Sequence, residues 1–158
     1  MDREQRVAYL KTHLKKGRFR HSLAVEEEAA KLAGRFGLDA ERAARAGLIH
    51  DAAKNMSTDD QLAALQADGF VMDEFFALSP PLYHGPAGAY VARVRLGETD
   101  EEVLDAIRYH TVPCLNPRPL AVVLLIADMI EPDRDFPGVR QLREAAKADL
   151  EEAFLLAL

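Results

Sequence analysis

The chain has 158 residues, 49% hydrophobic and 29% charged, a composition that folds rather than stays disordered. Twenty basic against 26 acidic residues leave a net charge of −6, which disfavours long-range attraction to DNA, RNA or anionic lipid. A single cysteine, Cys114, excludes an internal disulfide, and no apolar run approaches the roughly 20 residues of a membrane span.

Hydrophobic spacing is helical almost throughout. Val7, Leu10 and Leu14 make the stripe of a first helix, which Gly17 ends. A second starts near His21 and repeats Val25, Ala29, Leu32 and Phe36 before Gly37. Asp39 caps a third helix of small residues, Ala40 to Lys54, and Asp59 or Asp60 opens a fourth that closes near Gly69. The segment SPPLYHGP, Ser79 to Pro86, is turn chemistry, and Pro86 suits the first turn of a helix reaching about Leu96. Thr99 and Glu102 form a capping box ahead of Val103, Leu104 and Ile107. Pro113, Pro117 and Pro119 interrupt the next stretch. From Pro119 to Glu131, LAVVLLIADMI is apolar nearly all round, and Pro132 stops it. The turn DRDFPG leads to a last helix from about Val139. Strand signals are nearly absent. The expected fold is all-α, one domain over residues 1–158, with about seven or eight helices. With no signal peptide visible, the expected setting is cytoplasmic, with no nucleic-acid or membrane partner.

Polar residues on apolar faces carry the chemistry. His21 tops the stripe that continues at Val25. His50 and Asp51 stand among Ala46, Leu48, Ile49, Ala52 and Ala53, with Lys54 on their side of the helix. Asp128 lies in the most hydrophobic helix, where an unpaired carboxylate is costly and needs a partner. Two imidazoles and two carboxylates carry charge −2, matched to one divalent ion. Such a mixed set suits Fe, Mn, Co, Ni or Zn better than Mg or Ca, and the lack of thiolates argues against a structural zinc. His84, at a helix start, and His110, following Val103 and Ile107, extend the site toward a second metal or a phosphate. Arg108, Lys54 and Arg134 are the nearby cations. Ordinary readings compete. A lone histidine is more often a hydrogen-bonded core residue, Arg108 could be a surface charge, and Asp128 could pair with Arg134 or Arg108. His13, off the main stripe, reads as a plain surface residue.

The order His21, His50-Asp51, Asp128 resembles the HD-domain phosphohydrolase superfamily. FRHSLAVEEEAAKLAGRFGLD, AGLIHDAAKNMS, LYHGPAGAYVA, EEVLDAIRYHT, IADMIEPDRDFPGV and LREAAKADLEEA are similar to successive motifs of its YqeK-like branch, the bacterial symmetrical bis(5′-nucleosyl)-tetraphosphatases. The likeness runs over about residues 18 to 156, and the EPxRxFPGV and HGPxGA segments are more specific than the HD doublet.

That resemblance implies an HD-domain helical bundle that hydrolyses diadenosine tetraphosphate to two ADP. It implies iron, as one or two ions, on His21, His50, Asp51 and Asp128. Asp51, Lys54, His84 and His110 are the implied catalytic group. Lys54, His84, His110, Thr111, Asp133, Arg134 and Phe136 are the implied substrate contacts, with Phe136 beside a base. The partners implied are a dinucleoside polyphosphate or ADP, and a homodimer is a candidate assembly. Family members usually carry a further C-terminal stretch after the segment that ends here in AFLLAL, so a truncated C-terminus or a missing final helix is the expectation. The doublet alone also fits another HD-type nucleotidase or phosphodiesterase, or a non-catalytic nucleotide-binding module.

Overall fold

The computed structural model describes residues 1–158 as ten α-helices and one 3₁₀ turn, with no strand. All-α is therefore right, and the count exceeds the expected seven or eight. The helices are α1 (Arg3–His13), α2 (Lys16–Arg35), α3 (Ala40–Ile49), α4 (Thr58–Ala67), α5 (Glu74–Ala77), α6 (His84–Leu96), α7 (Glu101–Arg108), α8 (Pro119–Ile130), α9 (Val139–Ala148) and α10 (Leu150–Ala157). The 3₁₀ turn, Pro80–Leu82, falls in the stretch that reads as turn chemistry, and the short α5 just before it was not expected. The other extra helix comes from a break at Asp149, whose extended backbone ends α9 and whose carboxylate caps α10 through Glu151 and Glu152 N–H.

Several boundaries differ from the sequence expectation, each for a local reason. Gly17 lies inside the first turn of α2 and ends nothing; α1 stops at His13 instead. The α7 cap is Asp100, which accepts from Glu102 N–H; no capping box is made by Thr99 and Glu102. Glu98 explains this, because its buried carboxylate takes the N–H groups of both Thr99 and Asp100. Glu98 also pairs with the buried Arg6 at 3.2 Å, tying α1 to the start of α7. Helix α3 ends at Ile49, so residues 50–55 are a turn, with Lys54 N–H donating to the Asp51 carbonyl.

The core joins Leu10 of α1 to Ala153 of α10 through α2, α3, α6, α7 and α8. Helices α2 and α3 make the most extensive contact. Gly47 permits it: a Cβ there would lie 2.7 Å from the Val25 carbonyl oxygen. Gly88 of α6 lets the His50 carbonyl approach in the same way, at 2.9 Å from where its Cβ would be. Helix α8 packs on α2, α3 and α7, so three buried helices converge beside the HD turn. Full burial of each large core side chain such as Leu48, Leu104 or Ile126 stabilises by about 1.5–3 kcal/mol. No helix is long and apolar enough to cross a membrane.

Candidate metal centre

Five chain segments deliver six side chains to one point. His21 comes from the second turn of α2, His50 and Asp51 from the turn after α3, and His84 from the first residue of α6. His110 comes from just past α7, and Asp128 from the last turn of α8. All four histidines are buried, as is Asp51. Asp128 keeps 18% of its side chain exposed.

Asp51 is the hub. His50 Nε2 lies 3.3 Å and His21 Nε2 3.8 Å from its Oδ2. His84 Nε2 lies 3.4 Å and His110 Nε2 3.7 Å from its Oδ1. His21 Nε2 is also 3.0 Å from Asp128 Oδ1. His50, His110 and Asp128 bring one ligand atom each within 4.8 Å of one another. Donors held about 2.1 Å from one cation sit roughly 3.0–3.4 Å apart when adjacent and about 4.2 Å apart when opposite, so the 3.0–3.8 Å spacings around Asp51 and His21 are in reach of a shared ion.

The outer nitrogens explain why the inner ones point inward. Nδ1 of His50, His84 and His110 lies 2.7 Å from the carbonyls of Gly47, Pro81 and Ile107 respectively. His21 Nδ1 lies 3.1 Å from Glu131 Oε1. With the proton on Nδ1, each Nε2 presents its lone pair to the centre. Only five buried side-chain polar atoms in the chain lack a hydrogen-bond partner, and three are here: His21 Nε2, His50 Nε2 and Asp51 Oδ1. Orphaned acceptors at one spot are what a cation satisfies, so the residues present fit a divalent metal.

The electrostatics agree. Burial would raise the Asp51 carboxyl, but the adjoining His50 and His110 imidazoles outweigh it and hold the group well below the usual range. Burial would likewise raise Asp128, and His21, His50, His110 and Arg134 reverse that. Burial, then His110, push His84 down to about 4, so it is a neutral imidazole near pH 7. Both carboxylates are thus charged, beside an imidazole that is not.

Two guanidiniums flank the pair. Arg134 reaches Asp128 Oδ1 at 2.5 Å and its carbonyl at 2.8 Å. This is the arginine pairing that competes with a metal for Asp128 in the sequence. Arg18, which sequence reasoning missed, lies 2.7 Å from Asp51 Oδ2. Its signal was its place three residues before His21, on the same side of a helix. Glu131 was also missed as more than a helix end. It stands three residues after Asp128 and is buried, with Oε2 accepting from Asp133 N–H at 2.7 Å.

The remaining expected residues divide. Lys54 Nζ lies 3.2 Å from His84 Nε2, brought there by the turn rather than by a shared helix face. Thr111 Oγ1 donates to the Leu82 carbonyl at 3.4 Å. Asp133 is exposed and pairs with Arg20 at 2.9 Å. Phe136 is half-buried against the core. Arg108 is no part of the site: it binds the buried Asp68 at 2.8 Å and also Asp105. His13 is exposed and stacks on Tyr9 at a centroid distance of 3.8 Å.

The HD domain family model matches residues 18–133. A symmetrical bis(5′-nucleosyl)-tetraphosphatase of Bacillus subtilis is 37% identical over all of this chain and 84% of its own. One from Halalkalibacterium halodurans is 36% identical over the same shares. A crystal structure from Clostridium acetobutylicum, described as a predicted HD superfamily hydrolase involved in NAD metabolism, superposes with a TM-score of 0.95. It is 37% identical and covers 99% of this chain and 83% of that one. The six-residue centre lies within the matched residues, and the chain belongs to the HD domain family, in its symmetrical bis(5′-nucleosyl)-tetraphosphatase branch.

Proposed function

We propose that this chain is a metal-dependent phosphoanhydride hydrolase that cleaves diadenosine tetraphosphate symmetrically into two ADP. The observation that carries it is the Asp51 carboxylate, buried between four inward-facing Nε2 atoms whose rings are fixed from behind. His21, His50, Asp51 and Asp128 would hold the ion, with iron the metal of this reading. When bound there, a divalent cation lowers the pKa of a coordinated water toward neutrality and polarises a phosphoryl oxygen.

The chain's own groups do the rest. Asp51 Oδ1, without a hydrogen-bond partner, can orient the attacking water. His84 and His110 stand on that side of Asp51 and, with Lys54, meet the oxygens of the attacked phosphate. Burial lowers the Lys54 pKa, with Asp51 opposing, so its proton is available to charge forming on the leaving oxygen. Arg134 neutralises the neighbouring phosphate. Thr111, Asp133 and Phe136 border the nucleotide, Phe136 beside a base. Water adds to one central phosphorus and its bond to the oxygen shared by the two central phosphorus atoms breaks, so each half leaves as ADP.

Iron-loaded protein incubated with diadenosine tetraphosphate should yield ADP alone. AMP plus ATP refutes symmetrical cleavage, and ADP binding without turnover under Fe, Mn and Co refutes the enzyme reading. A folded Asp51→Ala variant should lose metal and activity; full activity in it overturns the assignment of the centre.

A further inference from the structure

Helix α9 sends one side chain back across the end of α8. Arg143 Nε donates to the Ile130 carbonyl at 2.9 Å. Its Nη2 donates to the carbonyls of Glu131, at 2.8 Å, and Arg134, at 2.9 Å. A helix C-terminus leaves such carbonyls open, and a positive group there is also favoured by the helix dipole. A planar guanidinium holds several acceptors in fixed directions, which an ammonium does not.

The residues so held are the ones the centre depends on. Glu131 fixes His21 through Nδ1, and Arg134 grips Asp128. Beyond these two contacts and Arg134's bond to the Asp128 carbonyl, little else holds the turn between them. Its internal bonds, Arg134 N–H to the Glu131 carbonyl and Asp133 N–H to Glu131 Oε2, set its shape but not its place. Arg20 and Asp133 pair outside it, but both are more than half exposed, and such pairs contribute little. Arg143 itself makes no hydrogen bond to any of the six central residues. Val139, Leu142, Ala145 and Ala146 anchor α9 in the core independently of it.

We propose that Arg143 is a positioning residue for the hydrolysis. It pins the 131–134 turn so that Arg134 presents its guanidinium to a substrate phosphate while Glu131 holds the His21 ring. The proposal rests on the functional reading above.

The test compares Arg143→Met and Arg143→Lys with the wild type, as full-length, metal-loaded protein. Arg143→Met should stay folded, yet its KM for diadenosine tetraphosphate and its Kd for ADP should rise about tenfold, the scale for groups that orient ligands. Arg143→Lys should recover part of that loss. In an Arg134→Ala background, adding Arg143→Met should change KM by less than about threefold, because one residue acts through the other. Unchanged KM and Kd in Arg143→Met overturn the proposal, as does the same tenfold effect in both backgrounds. Hydrogen exchange separates this failure from failure of the functional reading. If the wild type proves not to cleave the substrate, Arg143→Met should still speed exchange selectively at residues 131–136. Unchanged exchange there overturns the positioning claim on its own.

Discussion

Replacing Gly47 by Ala tests whether helix packing sets the metal centre. The new Cβ would lie 2.7 Å from the Val25 carbonyl oxygen and 2.9 Å from both Val25 C and Glu26 Cα. These are backbone atoms of α2, so no side chain can swing aside. Ordinary contact needs a separation about 0.7 Å larger, and α2 and α3 must part by a good fraction of it. Overpacking of this kind costs about 1–3 kcal/mol, while better helix propensity returns up to about 1 kcal/mol. The net loss of about 1–2 kcal/mol should lower Tm by roughly 3–8 °C in a chain of this length. The same shift separates His21, on α2, from the turn carrying His50 and Asp51. Metal–donor distances tolerate only about 0.2 Å, so affinity should fall at least about tenfold. Calorimetric melting and competition with a chromophoric chelator measure the two effects. Gly34→Ala is the control: it lies on α2, the helix that Gly47 of α3 packs against, and nothing stands within 4 Å of its Cβ position. It should leave metal affinity unchanged and raise stability slightly. A Gly47→Ala protein that melts and binds metal like the wild type refutes the reasoning.

Three further outcomes are expected. Glu131→Leu removes the acceptor from His21 Nδ1 and should weaken metal binding about 10–100-fold in chelator competition, with unaltered binding counting against Glu131 as the ring's anchor. Arg18→Met frees Asp51 Oδ2 from a competing cation 2.7 Å away, so metal affinity should rise, by about tenfold if a typical charged hydrogen bond is released; a fall would show that Arg18 supports the centre instead. Asp39 has its pKa lowered by the backbone N–H of Arg42, aided by that of Glu41. Its contribution to stability is complete above the unfolded value near 4 and is lost as pH falls through the lower folded value. Asp39→Asn keeps the cap without the titration, so the difference in stability between the two proteins should change between about pH 5 and 3, and a constant difference would refute this.

The core of the site was legible because its residues break a pattern. His21, His50, Asp51 and Asp128 interrupt apolar stripes, and a buried polar group demands a reason. Arg18 and Glu131 break no pattern. A guanidinium near a helix start and a carboxylate at a helix end are commonplace, and only folding shows one on Asp51 and the other behind His21. Helix existence was readable from spacing, whereas ends depended on distant partners. Glu98 took the two N–H groups on either side of the expected cap, a competition decided by its burial beside Arg6. The α9–α10 break turns on one extended residue, Asp149, whose cap signal with Glu152 is easily passed over within a run of good helix formers. Arg108 misled for a related reason, since the charge pattern of α7 could not reveal that Asp68 waits on α4's edge.

Because main-chain carbonyls and Glu131 grip the far nitrogen of every imidazole, the tautomers are settled by the fold and not by an incoming cation. The cage is preassembled. An ion entering it reorganises little, and a chelator withdrawing one should leave the helices standing. Fixed nitrogen and oxygen donors of this sort narrow the first-row metals by geometry and donor type, not by raw affinity. Which of them occupies the cage in a living cell then follows from supply.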